Sequence, residues 1–174
     1  MLKRPLLLLP LVLASCAPSM LAPNASTTDG LFLQAATGSN LFEVQAAQVA
    51  LGKTTSDAVR AYAQHMVNDH TNAQNQVAAL ATRKGVPLPK MLPPELQLKI
   101  NTLSGLSGAA FDAAYAREMV VSHQLTVSIM QNEQAAGKDA DVVALANQQL
   151  PIITQHLAEA QALPGGTAPA PSVP

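Results

Sequence analysis

Apolar residues recur at helical spacing over four long stretches of the chain, and no stretch alternates with period two over β-branched residues. The first stretch runs from about Asp29 to Leu51 and stops at Gly52, with Gly38-Ser39-Asn40 weakening its middle. The second follows Ser56, a suitable N-cap with Asp57 in the first turn. It stops at Gly85 behind Arg83 and Lys84, with Pro87 just beyond. The third starts after Ser107 and ends before Gly137. The fourth starts near Asp139 and ends near Leu163, and Pro151 inside it predicts a kink or a division near Gln149. Between the second and third stretches, residues 86–93 read as an extended connector. Pro94 to Leu103 then reads as a short helix with proline in its first turn.

Helices of these lengths would be roughly 35 to 43 Å long, and two of the three links between them are short. Similar lengths and short links predict an all-α fold, an antiparallel four-helix bundle with a short extra helix in the 2–3 connection. The longer connection could be a crossover or could cap one end.

Composition narrows the class of function. The chain has 174 residues, of which 48% are apolar, so a packed core is within reach. A single cysteine excludes an internal disulfide framework and a cysteine-based zinc finger. The net charge of −1, without a Lys/Arg run, gives no footprint for nucleic acid. No Gly-x-Ser-x-Gly and no Gly-rich phosphate loop is present, so no catalytic residue is assigned. Asp112 and Tyr115 are expected to cap or brace the third helix.

The N-terminus carries a targeting pattern. Lys3 and Arg4 precede an apolar run from Leu6 to Leu13, which falls short of the roughly 20 residues needed to span a bilayer. Leu13-Ala14-Ser15-Cys16 resembles a bacterial lipoprotein lipobox. That resemblance implies a signal peptide over 1–15, cleavage before Cys16 and lipid on its thiol, which would anchor the mature chain to a membrane. An ordinary signal peptide with an incidental cysteine is the alternative. Ala17, rather than Asp, after the cysteine resembles the outer-membrane-sorted type of a Gram-negative envelope. Residues 16–28 are then a flexible tether, 29–163 the bundle domain, and 164–174 a disordered Pro/Gly-rich tail.

The candidate chemistry lies on the inward faces. Helical spacing puts His70 on a stripe with Val59, Met66 and Val77, His123 with Met119, Val127 and Met130, and His156 with Leu145, Ile153 and Ala160. All three stripes are apolar, so all three imidazoles should point inward. His65 shares its stripe with Asn68, Asp69 and Asn72 and reads as a surface histidine. His123 and His156 match in depth to within about one turn, and His70 matches them if the connector returns at the same level. Glu43, on a stripe of small residues with Asn40, lies about 9 Å off that level by backbone rise. The lean of side chains toward helix N-termini shortens the gap.

Glu43, His70, His123 and His156 therefore form a candidate mononuclear site for Zn, Cu or Fe. Met66 and Met119, each four residues before one of these histidines, are candidate auxiliary ligands that would favour Cu(I). A buried Glu–His hydrogen-bond network and methionines acting as core filler are the competing readings. No organic cofactor is indicated.

Glu43, Met66-Val67-Asn68-Asp69-His70, Ser107-Gly108-Ala109-Ala110-Phe111-Asp112 with Tyr115, His123, and Leu150-Pro151 with His156-Leu157 together resemble the bacterial family called domain of unknown function 4142. The resemblance spans about residues 29–163 and implies an exported, often membrane-anchored, ferritin-like bundle. It implies no activity. The di-iron pattern of ferritin-like bundles is missing, because no Glu-x-x-His occurs and the second helix has no glutamate. Three functions remain open: an envelope-tethered bundle that sequesters or buffers a metal, a structural or stress-related envelope protein acting through protein contacts, and an enzyme using an open position on the metal, which would need an exchangeable coordination site. A homo-oligomer is compatible with any of them, and the protein partner is left open.

Overall fold

The bundle is built from caps that the sequence supplies at each helix end. The computed structural model describes residues 24–167 and contains α1 (Thr28–Lys53), α2 (Asp57–Lys84), α3 (Pro94–Ser104), α4 (Gly108–Ala136) and α5 (Ala140–Ala162). The expected signal peptide, Cys16 and residues 17–23 and 168–174 of the expected tether and tail lie outside the described residues. Residues 24–27 form a capping turn in which the Thr27 hydroxyl accepts from the Gly30 N–H. Ser56 caps α2 through the Val59 N–H, and Gly85 ends it in the left-handed region at φ 70°, where glycine carries no Cβ penalty. Asp139 accepts from the Asp141 and Val142 N–H groups at the start of α5.

Two local expectations change. The Gly38-Ser39-Asn40 stretch does not interrupt α1, because Ser39 and Asn40 find partners on other helices, Thr126 and His70 respectively. Nor does Pro151 divide α5, which runs unbroken past an exposed proline.

Contacts at the ends fix the direction of each helix. Asp29 at the start of α1 accepts from the Lys138 and Asp139 N–H groups between α4 and α5, at 2.8 and 2.7 Å. At the other end of α1, the Thr54 hydroxyl donates to Asp112 near the start of α4. Lys84 at the end of α2 pairs with Asp139 and Asp141 at the start of α5, at 2.8 and 2.7 Å. So α4 runs antiparallel to α1 and parallel to α2. The 85–107 connection, with α3 in it, crosses the length of the bundle. The connector does not return at the level where α2 ends. His123 still meets His70 because both lie near the middle of their helices.

Around the bundle the order is α1, α2, α5, α4, with the tightest packing between α1 and α2 and between α4 and α5. Helix α3 lies on α1 and touches α4, covering that side, while the α2/α5 side has no such cover. The core splits into two apolar clusters. One contains Phe42, Tyr62, Met66, Phe111, Tyr115 and Met119; the other contains Phe32, Leu33, Val77, Leu80, Met130 and Val142. Polar side chains occupy the level between them.

Candidate metal centre

Three helices each deliver one histidine to that middle level. His70 on α2, His123 on α4 and His156 on α5 are all about 1% exposed. Their ring centroids are 5.3 to 5.5 Å apart, and one nitrogen from each ring lies within 4.8 Å of the others.

The second nitrogen of each ring is fixed by an oxygen. His70 Nδ1 lies 2.9 Å from the Asn40 Oδ1 on α1. The Asn40 amide is itself oriented, since its nitrogen donates to Gln74, whose amide donates to Thr37, whose hydroxyl donates to the Leu33 carbonyl. Asn40 therefore presents an acceptor, and His70 carries its hydrogen on Nδ1. His123 Nδ1 donates to the Met119 carbonyl at 2.8 Å, one turn back on its own helix. His156 Nε2 donates to Asp69 Oδ2 at 3.0 Å. The three remaining nitrogens are His70 Nε2, His123 Nε2 and His156 Nδ1. All are buried and none has a hydrogen-bond partner.

The electrostatics keep those nitrogens unprotonated. Burial lowers the pKa of all three rings: His123 to about 4, His70 well below its usual value with help from the neighbouring rings, and His156 against the pull of Asp69. Three neutral imidazoles thus each keep a buried lone pair without a partner among the described residues, with one nitrogen of each ring within 4.8 Å of the others. Burying such acceptors without partners costs about 1–3 kcal/mol each. A single metal cation would engage all three. An outer acceptor on each ring, as seen here, is what orients imidazole ligands and raises their basicity. Three neutral nitrogens suit Zn, Cu or Fe.

Glu43 is also fully buried, but it stands elsewhere. Its Oε1 accepts from the Ser122 hydroxyl and lies 3.6 Å from His123 Nδ1, the nitrogen already bonded to Met119. Glu43 is in neither of the clusters whose ligand atoms fall within 4.8 Å of one another among the described residues. Burial pushes its carboxyl up to about 8, against the Ser122 hydrogen bond. Met66 and Met119 are fully buried in the larger apolar cluster, and the contact Met119 makes with a centre histidine is through its main-chain carbonyl.

The sequence reading missed Asn40 and Asp69 as supports, and missed that His65 joins Asp69 beside the cluster. Asp69 Oδ2 lies 3.1 Å from His65 Nε2 as well as 3.0 Å from His156. His65 Nδ1 lies 3.1 Å from Glu159 Oε2. His65 is half-exposed, so it does reach the surface, yet its ring is 5.0 Å from that of His156 and it joins Asp69 and His156 in a second cluster. Both missed residues were visible in the sequence: Asn40 on the Glu43 stripe, and Asp69 directly before His70.

A family model described as domain of unknown function (DUF4142) matches residues 14–163. No curated protein matches the chain. Among solved structures, the fold is similar to the crystal structure of a DUF305 fragment from Deinococcus radiodurans, at 20% identity and a TM-score of 0.70. That likeness covers 80% of this chain and 96% of the other.

Proposed function

The chain belongs to the DUF4142 family, and we propose that it binds one transition metal ion through His70, His123 and His156 and sequesters or buffers that ion at the cell envelope. The observation that carries this reading is the set of three buried ring nitrogens without partners, each opposite a nitrogen held by an oxygen acceptor. A purely structural network would satisfy both ends of each ring. Here the satisfied ends are on the outside and the unsatisfied ends converge. The nitrogen-only set suits Zn²⁺, Cu²⁺ or Fe²⁺. Glu43 supports the site from behind His123. The envelope location rests on the lipobox at Leu13-Ala14-Ser15-Cys16, which would hold the domain on a membrane through lipid on Cys16.

The test is elemental analysis of the mature chain with Cys16→Ser, made untagged in the periplasm and purified without chelator. One equivalent of a single metal is expected, and none in His123→Ala. A protein that stays empty after exposure to Cu(I), Cu²⁺, Zn²⁺ and Fe²⁺ would sink the metal reading.

A further inference from the structure

The two sides of the histidine cluster differ in what reaches them. On the α1/α4 side a cleft of about 310 Å³ opens beside α3 and reaches Ser122, but none of the three histidines lines it, and Glu43 stands between Ser122 and His123. On the α2/α5 side a cleft of about 190 Å³ descends from the surface. Its rim is Asn72, Gln76, Gln148 and Ile152, all exposed. Its buried walls are Ile153, Gln149, His70 and His156. Two of the three unpartnered nitrogens therefore belong to residues that line an opening to solvent, while His123 does not line it.

Charge then says what the opening is for. Three neutral imidazoles leave a divalent ion with its full charge in a buried setting, and such a charge needs an anionic partner. Among the described residues Asp69, in the cleft wall, offsets part of that charge through its bond to His156, and no carboxylate lies in the three-histidine group. Asp69 spends Oδ2 on His156 and His65, and Glu43 lies on the far side of His123. Three protein ligands also leave a fourth position free on a tetrahedral ion. Gln149 is 4% exposed and donates to the Gln76 Oε1 across the cleft at 3.2 Å, so the Gln76 amide nitrogen remains available as a donor.

We infer that the α2/α5 cleft delivers a small anion to an open coordination position on the metal held by His70, His123 and His156. This rests on the metal reading above and adds an exchangeable ligand site to it. The ligand class is a small monodentate anion, because the cleft is narrow and apolar along Ile152 and Ile153, its donors are side-chain amides, and its one carboxylate, Asp69, is committed to His156 and His65. A centre with such a position could exchange its ligand while retaining its ion.

The experiment loads the full mature chain with Co²⁺ and titrates it with azide, reading the visible ligand-field bands. A saturable one-to-one shift is expected. Ile152→Trp, at the exposed rim, should weaken azide about tenfold or more with cobalt content unchanged. Bound cobalt whose bands ignore azide would overturn the inference and leave the metal site standing. If the response then appeared in Glu43→Gln, Glu43 would be the fourth ligand. Azide binding unaffected by Ile152→Trp would remove the cleft as the route. A chain that takes up neither cobalt nor any of Cu(I), Cu²⁺, Zn²⁺ and Fe²⁺ would fail the metal reading itself, and this inference with it.

Discussion

Among the described residues, polar atoms without partners are buried at several levels of this bundle, and two of those levels resolve the problem in different ways. At mid-bundle three imidazole nitrogens face one another as bare acceptors. At the end where α1 starts and α4 stops, both oxygens of Glu133 are buried without a donor. Its neighbour Asp29 is an acceptor too, already holding the Lys138 and Asp139 N–H groups. For the carboxyl pair one proton suffices. Burial pushes Glu133 up to about 7, with Asp29 and Asp139 adding to the rise. Burial would also raise Asp29, but the Asp139 and Lys138 N–H groups lower it on balance. Of the two, Glu133 is the one whose protonated form the surroundings favour. The histidine cluster has no equivalent answer, since one proton cannot serve three divergent rings and burial keeps protons off all of them. An acid pair can close on itself with one proton, whereas the three bases could be engaged together by a cation.

The largest effect that can break this comparison is on metal content. His70→Ala should remove the bound ion entirely, with helicity by circular dichroism preserved. Glu133→Gln should leave the ion in place, although it alters an equally buried group. Metal content retained in His70→Ala, or lost in Glu133→Gln, would mean that burial of orphan atoms does not distinguish the two levels.

How much of this the sequence carried follows from which rules are local. Helix positions were legible to within about two residues because caps and stops are local chemistry: Ser56, Gly85 and Gly137 mark ends wherever the chain goes. The inward faces of His70, His123 and His156 were legible for the same reason, since periodicity alone sets a stripe. The crossover was not, because it is fixed by contacts distant in sequence, such as Thr54 with Asp112 and Asp29 with Asp139. Glu43 shows the limit most clearly. Its depth and stripe placed it near the histidines, but only the rotation of α1 against α4 decides that it meets the outer nitrogen of His123. Asn40 and Asp69 read as a helix defect and a surface acid until the partner helix supplied the ring each one holds.

Two smaller changes sharpen the contrast one level at a time. Asp69→Ala removes the acceptor that fixes the His156 tautomer, and metal affinity measured by chelator competition should fall about 10- to 100-fold. Thermal stability of the metal-free protein should change less than affinity does. Gly137→Ala acts on the other level. A Cβ there would lie 2.3 Å from Glu133 Oε1 and 2.7 Å from Val143 Cγ2, so the α4–α5 turn must shift. A loss of about 1–3 kcal/mol in urea unfolding is expected, with metal affinity unchanged. An unchanged urea midpoint would show that Glu133 has room to move and that its burial is loosely held.

The smallest effect is a slope. Glu133 is raised from 4.5 in the unfolded chain to about 7 in the fold, so the folded state binds the extra proton. Its contribution to stability is fully present below about pH 4.5 and is lost as pH rises through 7. The histidines act in the opposite sense: their folded pKa values are depressed, so the stability they allow is lost as pH falls below about 6.5. The two trends overlap and blur a single pH profile of the metal-free protein. Subtracting the melting curves of Glu133→Gln from those of the parent cancels the histidines and Glu43, which are common to both. The glutamine amide can donate to Asp29 at every pH, whereas the carboxyl donates only while protonated. The variant should therefore gain on the parent steadily between pH 4.5 and 7 and then level off. A difference that stays flat across that window would mean that Glu133 is ionised throughout and that the end of the bundle does not close with a proton.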